Sequence, residues 1–292
     1  MVKTYSEIYL DARRTLMSID DQQGASHLAR NLLCYLSGKS HEALIADRDK
    51  YASEAVCEEM EKAVARILQD EPLAYVLGEW TFYGMDLYVD SNVLIPRDDT
   101  CALASLAIQK GLHLEQSPRI LDLCTGSGCI GLALASRIKD ARVTLADISK
   151  EALAVAKKNV MRQKLSSRVS CYQADALKAA PNFLGKFDMI VSNPPYITSD
   201  EMVQLPRSVR DYEPHLALHG GDDGLLFYRE IIRNYSVALK PGGYLCFEFG
   251  MNQGDDVCSL LETNGYTVLE RANDFNDIER AVIARYAGKD DE

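Results

Sequence analysis

The sequence lacks the features of an exported or membrane-embedded protein. None of its eight cysteines forms a Cys-x-x-Cys pair, so buried, reduced thiols are favoured over a disulfide framework or a zinc site. The first 20 residues carry charges at Glu7, Asp11 and Arg13, which interrupt the apolar core that a signal peptide needs. No run approaches the ~18 apolar residues of a membrane-spanning helix. We therefore expect a soluble, cytoplasmic protein that binds neither a membrane nor a metal.

The chain also lacks an excess of positive charge. Its 32 Lys and Arg residues are outnumbered by 43 Asp and Glu residues, which gives a formal net charge of -11. This charge opposes binding to the phosphate backbone of a nucleic acid, so we expect no direct nucleic-acid binding. A hydrophobic fraction of 47% excludes a disordered chain. The 292 residues are enough for two ordinary domains or one large one.

In the first part of the chain, over residues 1–75, the apolar residues recur at helical spacing. Ser53 is a predicted helix start and Gly38 a predicted helix end. The residues that carry the spacing are Ile8, Ala12 and Leu16, then Leu28, Leu32 and Tyr35, then Val56, Met60, Val64 and Ile67. Because this region contains no cluster of convergent polar side chains, we predict a helical domain that serves recognition or scaffolding rather than chemistry.

Two different strand patterns follow. Residues 76–97 contain short strand-like runs at 80–83, 87–89 and 93–95, separated by turn residues, and predict a β-hairpin linker. Residues 98–292 alternate buried strands with amphipathic helices, which predicts a mostly parallel sheet covered on both faces. The predicted strands are 120–124, 143–147, 169–172, 189–192 and 244–249, and the predicted helices include 129–138, 150–163 and 225–239. In such sheets, ligands bind beyond the carboxyl ends of the strands.

A glycine-rich loop follows the first of these strands. Gly126, Gly128 and Gly131 have the G-x-G-x-x-G spacing, and Asp147 ends the next strand, which fits a dinucleotide site. Asp122, four residues before the first glycine, favours a second interpretation, because its carboxylate would repel a pyrophosphate but attract the cationic S-adenosylmethionine. In that interpretation the glycines admit the methionine part, and Asp147 holds the ribose hydroxyls. Asp175, after the third strand, is then placed to bound the adenine.

The fourth strand ends in the run Asn193-Pro194-Pro195-Tyr196. Two prolines cannot continue a sheet ladder, and a simple turn needs neither the Asn nor the Tyr. The Asn193 amide oxygen and the Pro194 carbonyl provide two acceptors for one NH2 group, and Tyr196 would cover a planar substrate. Such acceptors can orient the lone pair of an amide or aromatic amine nitrogen toward a methyl donor and stabilise the charge that develops there.

These motifs resemble those of the PrmC/HemK family, the N5-glutamine methyltransferases of peptide chain release factors. The resemblance covers nearly the whole chain. It is carried by Pro72-Leu73-Ala74-Tyr75, Gly78, Phe82-Tyr83-Gly84, Val93-Leu94-Ile95-Pro96-Arg97, Asp122-Leu123-Cys124-Thr125-Gly126-Ser127-Gly128, Asn193-Pro194-Pro195-Tyr196, Tyr212-Glu213-Pro214, Ala217-Leu218 and Gly220-Gly221-Asp222-Asp223-Gly224-Leu225. Two positions depart from the family pattern, since Asp98-Asp99 replaces Pro-Glu and Cys124 replaces a glycine.

The resemblance implies a Rossmann-like, S-adenosylmethionine-dependent methyltransferase domain with a mostly parallel seven-stranded sheet, preceded by the helical bundle and the hairpin. It implies methylation of the glutamine in the Gly-Gly-Gln motif of release factors, with S-adenosylhomocysteine as product, and a helical domain that helps to dock the release factor. The predicted catalytic residues are Asn193, Pro194 and Tyr196, and these bind substrate together with Pro195 and Arg97. The predicted cofactor-binding residues are Asp122, Cys124, Thr125, Gly126, Ser127, Gly128, Asp147, Asp175, Ala176 and Asn193.

Three other functions are compatible with single motifs. An adenine or cytosine amino-methyltransferase acting on nucleic acid would use the same acceptors after the fourth strand, and the charge of -11 and the lack of a basic recognition segment count against it. An NAD-dependent oxidoreductase would rest on the glycine spacing alone, and Asp122 opposes it. A protein that only binds its ligand would not need the acceptor pair at Asn193 and Pro194.

Overall fold

The computed structural model describes residues 2–288, and Met1 and residues 289–292 lie outside the described residues. The helices are α1 (Tyr5–Leu16), α2 (Gln22–Ser37), α3 (His41–Ala46), α4 (Glu54–Ile67), α5 (Leu73–Leu77), α6 (Cys101–Gly111), α7 (Cys129–Arg137), α8 (Lys150–Arg162), α9 (Ser199–Met202), α10 (Arg207–Arg210), α11 (Leu226–Tyr235) and α12 (Gly254–Thr263). The strands are β1 (Glu79–Phe82), β2 (Met85–Tyr88), β3 (Arg119–Leu123), β4 (Arg142–Asp147), β5 (Val169–Gln173), β6 (Phe187–Ser192), β7 (Leu239–Glu248), β8 (Tyr266–Asn273) and β9 (Glu279–Tyr286).

The described chain forms two compact units. One comprises the chain up to Gly78 together with Arg207–Tyr212, and the other comprises Glu79–Pro206 together with the chain from Glu213 onward. The segment Arg207–Tyr212 joins the first unit through side-chain contacts. Arg207 pairs with Asp70 at 3.1 Å, and the Tyr212 hydroxyl donates to the Gln69 carbonyl at 2.6 Å. We call the two parts the helical unit and the sheet unit.

Two predicted helix boundaries, Ser53 and Gly38, lie in the helical unit. The Ser53 side chain caps α4 by accepting from the Val56 N–H, and Gly38 ends α2 in the left-handed conformation, so both predictions are confirmed. The apolar residues whose spacing predicts α2 are not all buried, because Tyr35 is 41% exposed. The face that is buried consists of Ala25, Ala29, Leu32 and Leu33. Small alanines let neighbouring helices approach closely, and the spacing of large apolar residues alone does not reveal them.

The hairpin of β1 and β2 opens the sheet unit. Tyr83 and Gly84 both have positive φ, at 50° and 76°, which is the backbone of the tight turn that suits the twist of two antiparallel strands. The predicted strand at 93–95 is wrong, because these residues lie outside every strand of the described chain. The Ile95 N–H donates to the Glu213 carboxylate at 3.1 Å instead of to a strand. The apolar alternation there reflects burial of Val93 and Ile95 in a loop.

Within the described residues, seven strands form one sheet in the order β5-β4-β3-β6-β7-β9-β8. The first five strands are parallel, and β9 runs antiparallel to both β7 and β8. This confirms the predicted mostly parallel sheet. The chain leaves β3 toward β4 on one side and returns to β6 on the other, so the strand order reverses between β3 and β6. A crevice opens at the carboxyl ends of the strands at such a point.

Alternation along the strands divides the core between the two faces of the sheet. On β3, Ile120 packs into the cluster that contains residues of α6, α7 and α8, whereas Leu121 and Leu123 pack into the cluster that contains residues of α11 and α12. Asp122 has the same parity as Ile120 and therefore points toward α7. Elements β8, β9, α6 and α12 were not predicted from the sequence. Strand β8 has mostly exposed or half-buried residues, which weakens its alternation of apolar and polar residues.

Candidate active site

A pocket lies at the carboxyl end of the sheet, entirely within the sheet unit. It is formed by the segment before α6, the loops after β3, β4, β5 and β6, the loop at 214–217 and one residue of α11. The residues that line it are Asn92, Val93, Leu94, Pro96, Arg97, Thr100, Cys124, Thr125, Gly126, Ser127, Cys129, Ile130, Asp147, Ile148, Ser149, Ala152, Ala174, Asp175, Ala176, Leu177, Asn193, Pro195, Pro214, Leu216, Ala217 and Phe227.

Most of the residues selected from the sequence lie in this one pocket. Those that line it are Arg97, Cys124, Thr125, Gly126, Ser127, Asp147, Asp175, Ala176, Asn193 and Pro195. Four of the predicted site residues do not line it: Asp122, Gly128, Pro194 and Tyr196. The structure therefore brings the glycine loop, the strand-end acids and the start of the Asn-Pro-Pro-Tyr segment together in one pocket.

The glycines of the loop have distinct structural roles. Gly126 and Gly128 have φ values of 52° and 85°, a region in which glycine is favoured. A Cβ on Gly126 would meet no protein atom within 4 Å, whereas one on Gly128 would lie 3.1 Å from the Leu145 side chain. A Cβ on Gly131 would lie 2.3 Å from Leu145, so this glycine lets α7 pack closely on the sheet.

Asp122 is fully buried beneath the glycine loop. Its Oδ2 accepts hydrogen bonds from the Thr125 hydroxyl at 2.6 Å and the Gly131 N–H at 2.9 Å. Its Oδ1 is buried without a hydrogen-bond partner among the described residues. Burial raises the pKa of Asp122 to about 7. Asp122 thus shapes the loop, and when it is ionised, above about pH 7, its unpartnered oxygen adds uncompensated negative charge next to the pocket.

Two further acids contribute to the pocket wall. Asp147 accepts from the Gly126 N–H and the Ser149 N–H, both at 2.9 Å, and burial raises its pKa. Asp175 accepts from the Leu177 N–H at 2.9 Å. Among the residues that line the pocket in the described chain, Arg97 is the single Lys or Arg. The interior beside the glycine loop is therefore suited to a cationic ligand rather than to a phosphate.

The Asn-Pro-Pro-Tyr segment follows β6, which is adjacent to β3. The Asn193 amide NH2 donates to the Thr100 hydroxyl at 3.4 Å. The Tyr196 ring packs on Gly250, where a Cβ would lie 3.1 Å from the ring, and the Tyr196 carbonyl accepts from Gln253 at 3.1 Å. Gly220 lies so close to the backbone of this segment that a Cβ on Gly220 would be 2.5 Å from the Tyr196 Cα.

Several residues that shape the pocket received no role in the sequence analysis. Buried Glu213 accepts from the Ile95 N–H and pairs with Arg97, which fixes the segment before α6. Buried Asn159 connects the hairpin to the glycine loop, because its NH2 donates to the Ser127 and Tyr88 carbonyls, both at 2.9 Å. A polar Asn159 on the otherwise apolar face of α8 is a sequence signal for such a buried hydrogen-bonding role.

The two departures from the family pattern have clear local consequences. Asp99 pairs with Arg280 of β9 at 3.0 Å, so a carboxylate at this position, even with the shorter arm, reaches a partner. Cys124 has a φ of 62°, a conformation that glycine adopts without strain and other residues adopt at a cost. The family's usual glycine at this position therefore has a physical explanation, and this chain retains the same backbone with a cysteine.

Two features are absent from the described residues: a cluster of metal-binding side chains and a membrane-spanning helix. Over residues 2–288, no group of three or more His, Cys, Asp and Glu side chains is arranged to hold a metal ion. In the same part of the chain, no helix has both the length and the apolar character needed to cross a membrane.

Comparison with known proteins identifies the family of this chain. Residues 7–78 match the PrmC N-terminal domain, and residues 99–208 match the methyltransferase small domain. The release factor glutamine methyltransferase of Clostridium acetobutylicum is 37% identical over 257 residues, which are 88% of this chain and 90% of that protein. The chain belongs to the release factor glutamine methyltransferase family. The Chlorobaculum tepidum member of this family is 38% identical over 87% of this chain and 88% of its own length.

A solved structure shows that the family fold is shared more widely. A methyltransferase from Pyrococcus furiosus has a TM-score of 0.52 and 19% identity, and the match covers 78% of this chain and 99% of that one. At this identity the likeness concerns the fold alone. The resemblance inferred from the motifs and the Rossmann-like methyltransferase fold are thus both confirmed, and the chain is a methyltransferase.

Proposed function

We propose that the protein transfers a methyl group from S-adenosylmethionine to the side-chain amide nitrogen (N5) of the glutamine in the Gly-Gly-Gln motif of peptide chain release factors. The observation that carries this proposal is the position of Asn193, which lines the same pocket as the glycine loop at the point where the strand order reverses. The relatives named release factor glutamine methyltransferase support the same substrate.

The pocket residues fit the proposed cofactor by their chemistry. Asp147 and Asp175 line the wall, and Asp122 keeps a buried oxygen without a partner among the described residues, so the site favours a cationic ligand without phosphates. The glycine loop and Cys124 would hold the methionine part, Asp147 the ribose and Asp175 with Ala176 the adenine. S-adenosylmethionine, when bound, supplies a methyl group on a sulfonium leaving group, and S-adenosylhomocysteine is the product.

The acceptors after β6 address the poor nucleophilicity of an amide nitrogen. We assign the Asn193 amide oxygen and the Pro194 carbonyl as acceptors for the two protons of the substrate NH2. Prolines at 194 and 195 have no N–H, so the backbone here offers the substrate acceptors without competing donors. Hydrogen bonds to both protons orient the nitrogen and stabilise positive charge as it forms.

The remaining predicted roles belong to substrate binding. We propose that Arg97 contacts a backbone carbonyl of the substrate, since its side chain is 38% exposed at the pocket while buried Glu213 holds it in place. Pro195 and Tyr196 complete the substrate side. We further propose that the helical domain at 1–75 docks the release factor and that residues 76–97 link it to the methyltransferase domain at 98–292. No direct role for nucleic acid or a membrane is part of this proposal.

The test is methyl transfer from radiolabelled S-adenosylmethionine to purified release factor. We expect labelling of a release factor with an intact Gly-Gly-Gln loop and none when the glutamine is replaced by alanine. Equal labelling of both proteins would refute the proposed substrate. Labelling of DNA or RNA instead, with a steep salt dependence, would support the amino-methyltransferase alternative.

A further inference from the structure

A buried polar cluster lies directly behind Asn193. It consists of Thr100, which ends a turn of 3-10 helix before α6, and Glu248, the last residue of β7. Both are 2% exposed. Strand β7 is adjacent to β6, so Glu248 and Asn193 follow neighbouring strands. We call Asn193, Thr100 and Glu248 the amide cluster.

The hydrogen bonds within the amide cluster define the orientation of the Asn193 side-chain amide. Burial raises the pKa of Glu248 to about 7, and hydrogen bonds from the Thr100 and Asn193 side chains favour its ionised form. The Asn193 NH2 also donates to the Thr100 hydroxyl at 3.4 Å. An ionised carboxylate can only accept hydrogen bonds. Thr100 therefore donates its proton toward Glu248 and accepts from the NH2 of Asn193, which leaves the amide oxygen of Asn193 for the pocket.

We propose that Glu248, together with Thr100, is a positioning residue that holds the Asn193 amide with its oxygen, and not its NH2, toward the substrate. The inference rests on the proposed function, in which that oxygen accepts a hydrogen bond from the substrate amide. A flipped Asn193 would present a donor to the donor of the substrate and would turn its oxygen toward a carboxylate. Above about pH 7 the Glu248 carboxylate is ionised and can only accept hydrogen bonds, which makes the flipped orientation unfavourable.

The burial of Glu248 supports this role. A carboxyl group deep in a protein core is costly to keep, and Oε2 has no hydrogen-bond partner in the part of the chain that the structure describes. Its surroundings contain both signs of charge: Asp99 and Arg280 act on it, and its own charge acts on Tyr196, Cys101 and Cys129. Arg280 is already paired with Asp99 and Asp274, so it does not neutralise Glu248 alone.

The first experiment compares kcat with cofactor affinity in Glu248→Gln and Thr100→Val. Glutamine can offer an NH2 to the Asn193 oxygen and so permits the flip, and valine removes the hydroxyl without changing the side-chain shape. We expect kcat to fall by about 10-fold to 100-fold in each variant, with the Kd of S-adenosylhomocysteine, measured by calorimetry, unchanged within about twofold. The double variant should lose little more than either single one, because both act on the same amide.

Two matched variants separate positioning from a loss of stability. Thr100→Ser retains the hydroxyl and should restore most of the kcat lost in Thr100→Val. Thr144→Val removes the hydroxyl of another buried threonine, on β4, and should leave kcat unchanged. Wild-type kcat in Glu248→Gln, or equal losses of kcat and cofactor affinity in it, would overturn the proposal. If Glu248→Gln does not fold, wild-type kcat in Thr100→Val would overturn it equally.

A second measurement does not depend on the substrate. The side-chain NH2 of Asn193 is followed by NMR in protein with 15N-labelled asparagine, and its signal is assigned by its loss in Asn193→Ala. We expect this signal to shift with pH as Glu248 titrates in the wild type and to lose that shift in Glu248→Gln. A pH shift that persists in Glu248→Gln would overturn the inference. Failure of release factor labelling with this NMR result intact would refute the proposed function and leave the orientation of the amide established.

Discussion

The glycine loop after β3 and the Asn-Pro-Pro-Tyr segment after β6 follow adjacent parallel strands, yet they are built by different means. The loop is shaped by the backbone, with positive φ at Cys124, Gly126 and Gly128. The described residues of the Asn-Pro-Pro-Tyr segment include no positive φ, and its side chains are held by distant parts of the chain. A loop of main-chain turns suits a ligand that is the same in every reaction cycle. A segment held by side chains suits a group that must be oriented for chemistry.

Each element also has a buried carboxyl group behind it, and the two carboxyls differ in what they hold. Asp122 accepts from the Gly131 N–H and the Thr125 hydroxyl, so it holds the loop. Glu248 lies beside the side chains of Thr100 and Asn193, so it acts on side chains. Burial raises the pKa of each to about 7. This contrast predicts that changes at one element alter cofactor affinity and changes at the other alter turnover.

The largest effect is expected for Asn193→Ala. Removing the amide oxygen deletes one of the two proposed acceptors for the substrate NH2, and the expected loss in kcat is about 100-fold or more. Cofactor affinity should stay within about twofold of the wild type, as measured by calorimetry with S-adenosylhomocysteine. Undiminished turnover would remove Asn193 from the reaction, and a matching loss of affinity would erase the contrast between the two elements.

Asp122→Asn should affect the other element. The folded-state pKa of Asp122 is raised above its unfolded value, so the wild type loses stability as pH rises from about 4 to 7. The neutral variant lacks this loss, and its free energy of unfolding at pH 8 should exceed that of the wild type by up to about 4 kcal/mol. The part of the pH dependence that arises from Glu248 should remain.

The same variant should bind the cationic cofactor less well. We expect the affinity for S-adenosylmethionine at pH 8 to fall by about tenfold. The affinity for S-adenosylhomocysteine should fall less, because its sulfur is uncharged and does not interact with the negative charge that the substitution removes. Urea denaturation at pH 5 and pH 8 and calorimetry with both ligands check these outcomes. A variant that is less stable at pH 8 and equally weakened toward both ligands would show that Asp122 only holds the loop together.

Two glycines of the loop offer a matched pair with a smaller expected effect. A Cβ on Gly126 would meet no protein atom within 4 Å, whereas one on Gly128 would lie 3.1 Å from Leu145. Both alanine variants carry the strain of a positive φ, but the Cβ of Gly126→Ala would occupy ligand space. We expect about tenfold weaker cofactor binding in Gly126→Ala and a larger loss of thermal stability in Gly128→Ala. The reverse pattern would contradict the assignment of the loop to the cofactor.

The two elements also differ in how far the sequence predicts them. The glycine spacing, the acid at the end of β4 and the alternation of strands and helices are local signals, and they located the loop, the sheet and the pocket. The contacts that hold Asn193 and the segment before α6 are not local, because Thr100 is 93 residues away from Asn193 and Glu213 is 118 residues away from Ile95. No spacing rule connects such positions. For the same reason the sequence did not place Tyr196 on Gly250 or Gln253 on the Tyr196 carbonyl.

The smallest expected effect concerns the backbone of the glycine loop, and it is measured by comparing the same substitution, cysteine to glycine, at two positions. Cys124 and Cys129 both line the pocket, but Cys124 has a φ of 62° and Cys129 begins α7. Glycine at 124 relieves left-handed strain of about 1 kcal/mol, which offsets the entropy that glycine loses on folding. Glycine at position 129, the first residue of α7, lacks this gain and only loses entropy on folding. We therefore expect Cys124→Gly to exceed Cys129→Gly in unfolding free energy by about 1 kcal/mol or more, measured by urea denaturation. Equal values would mean that the conformation at Cys124 stores no strain, and the family's usual glycine there would then need a ligand-side explanation.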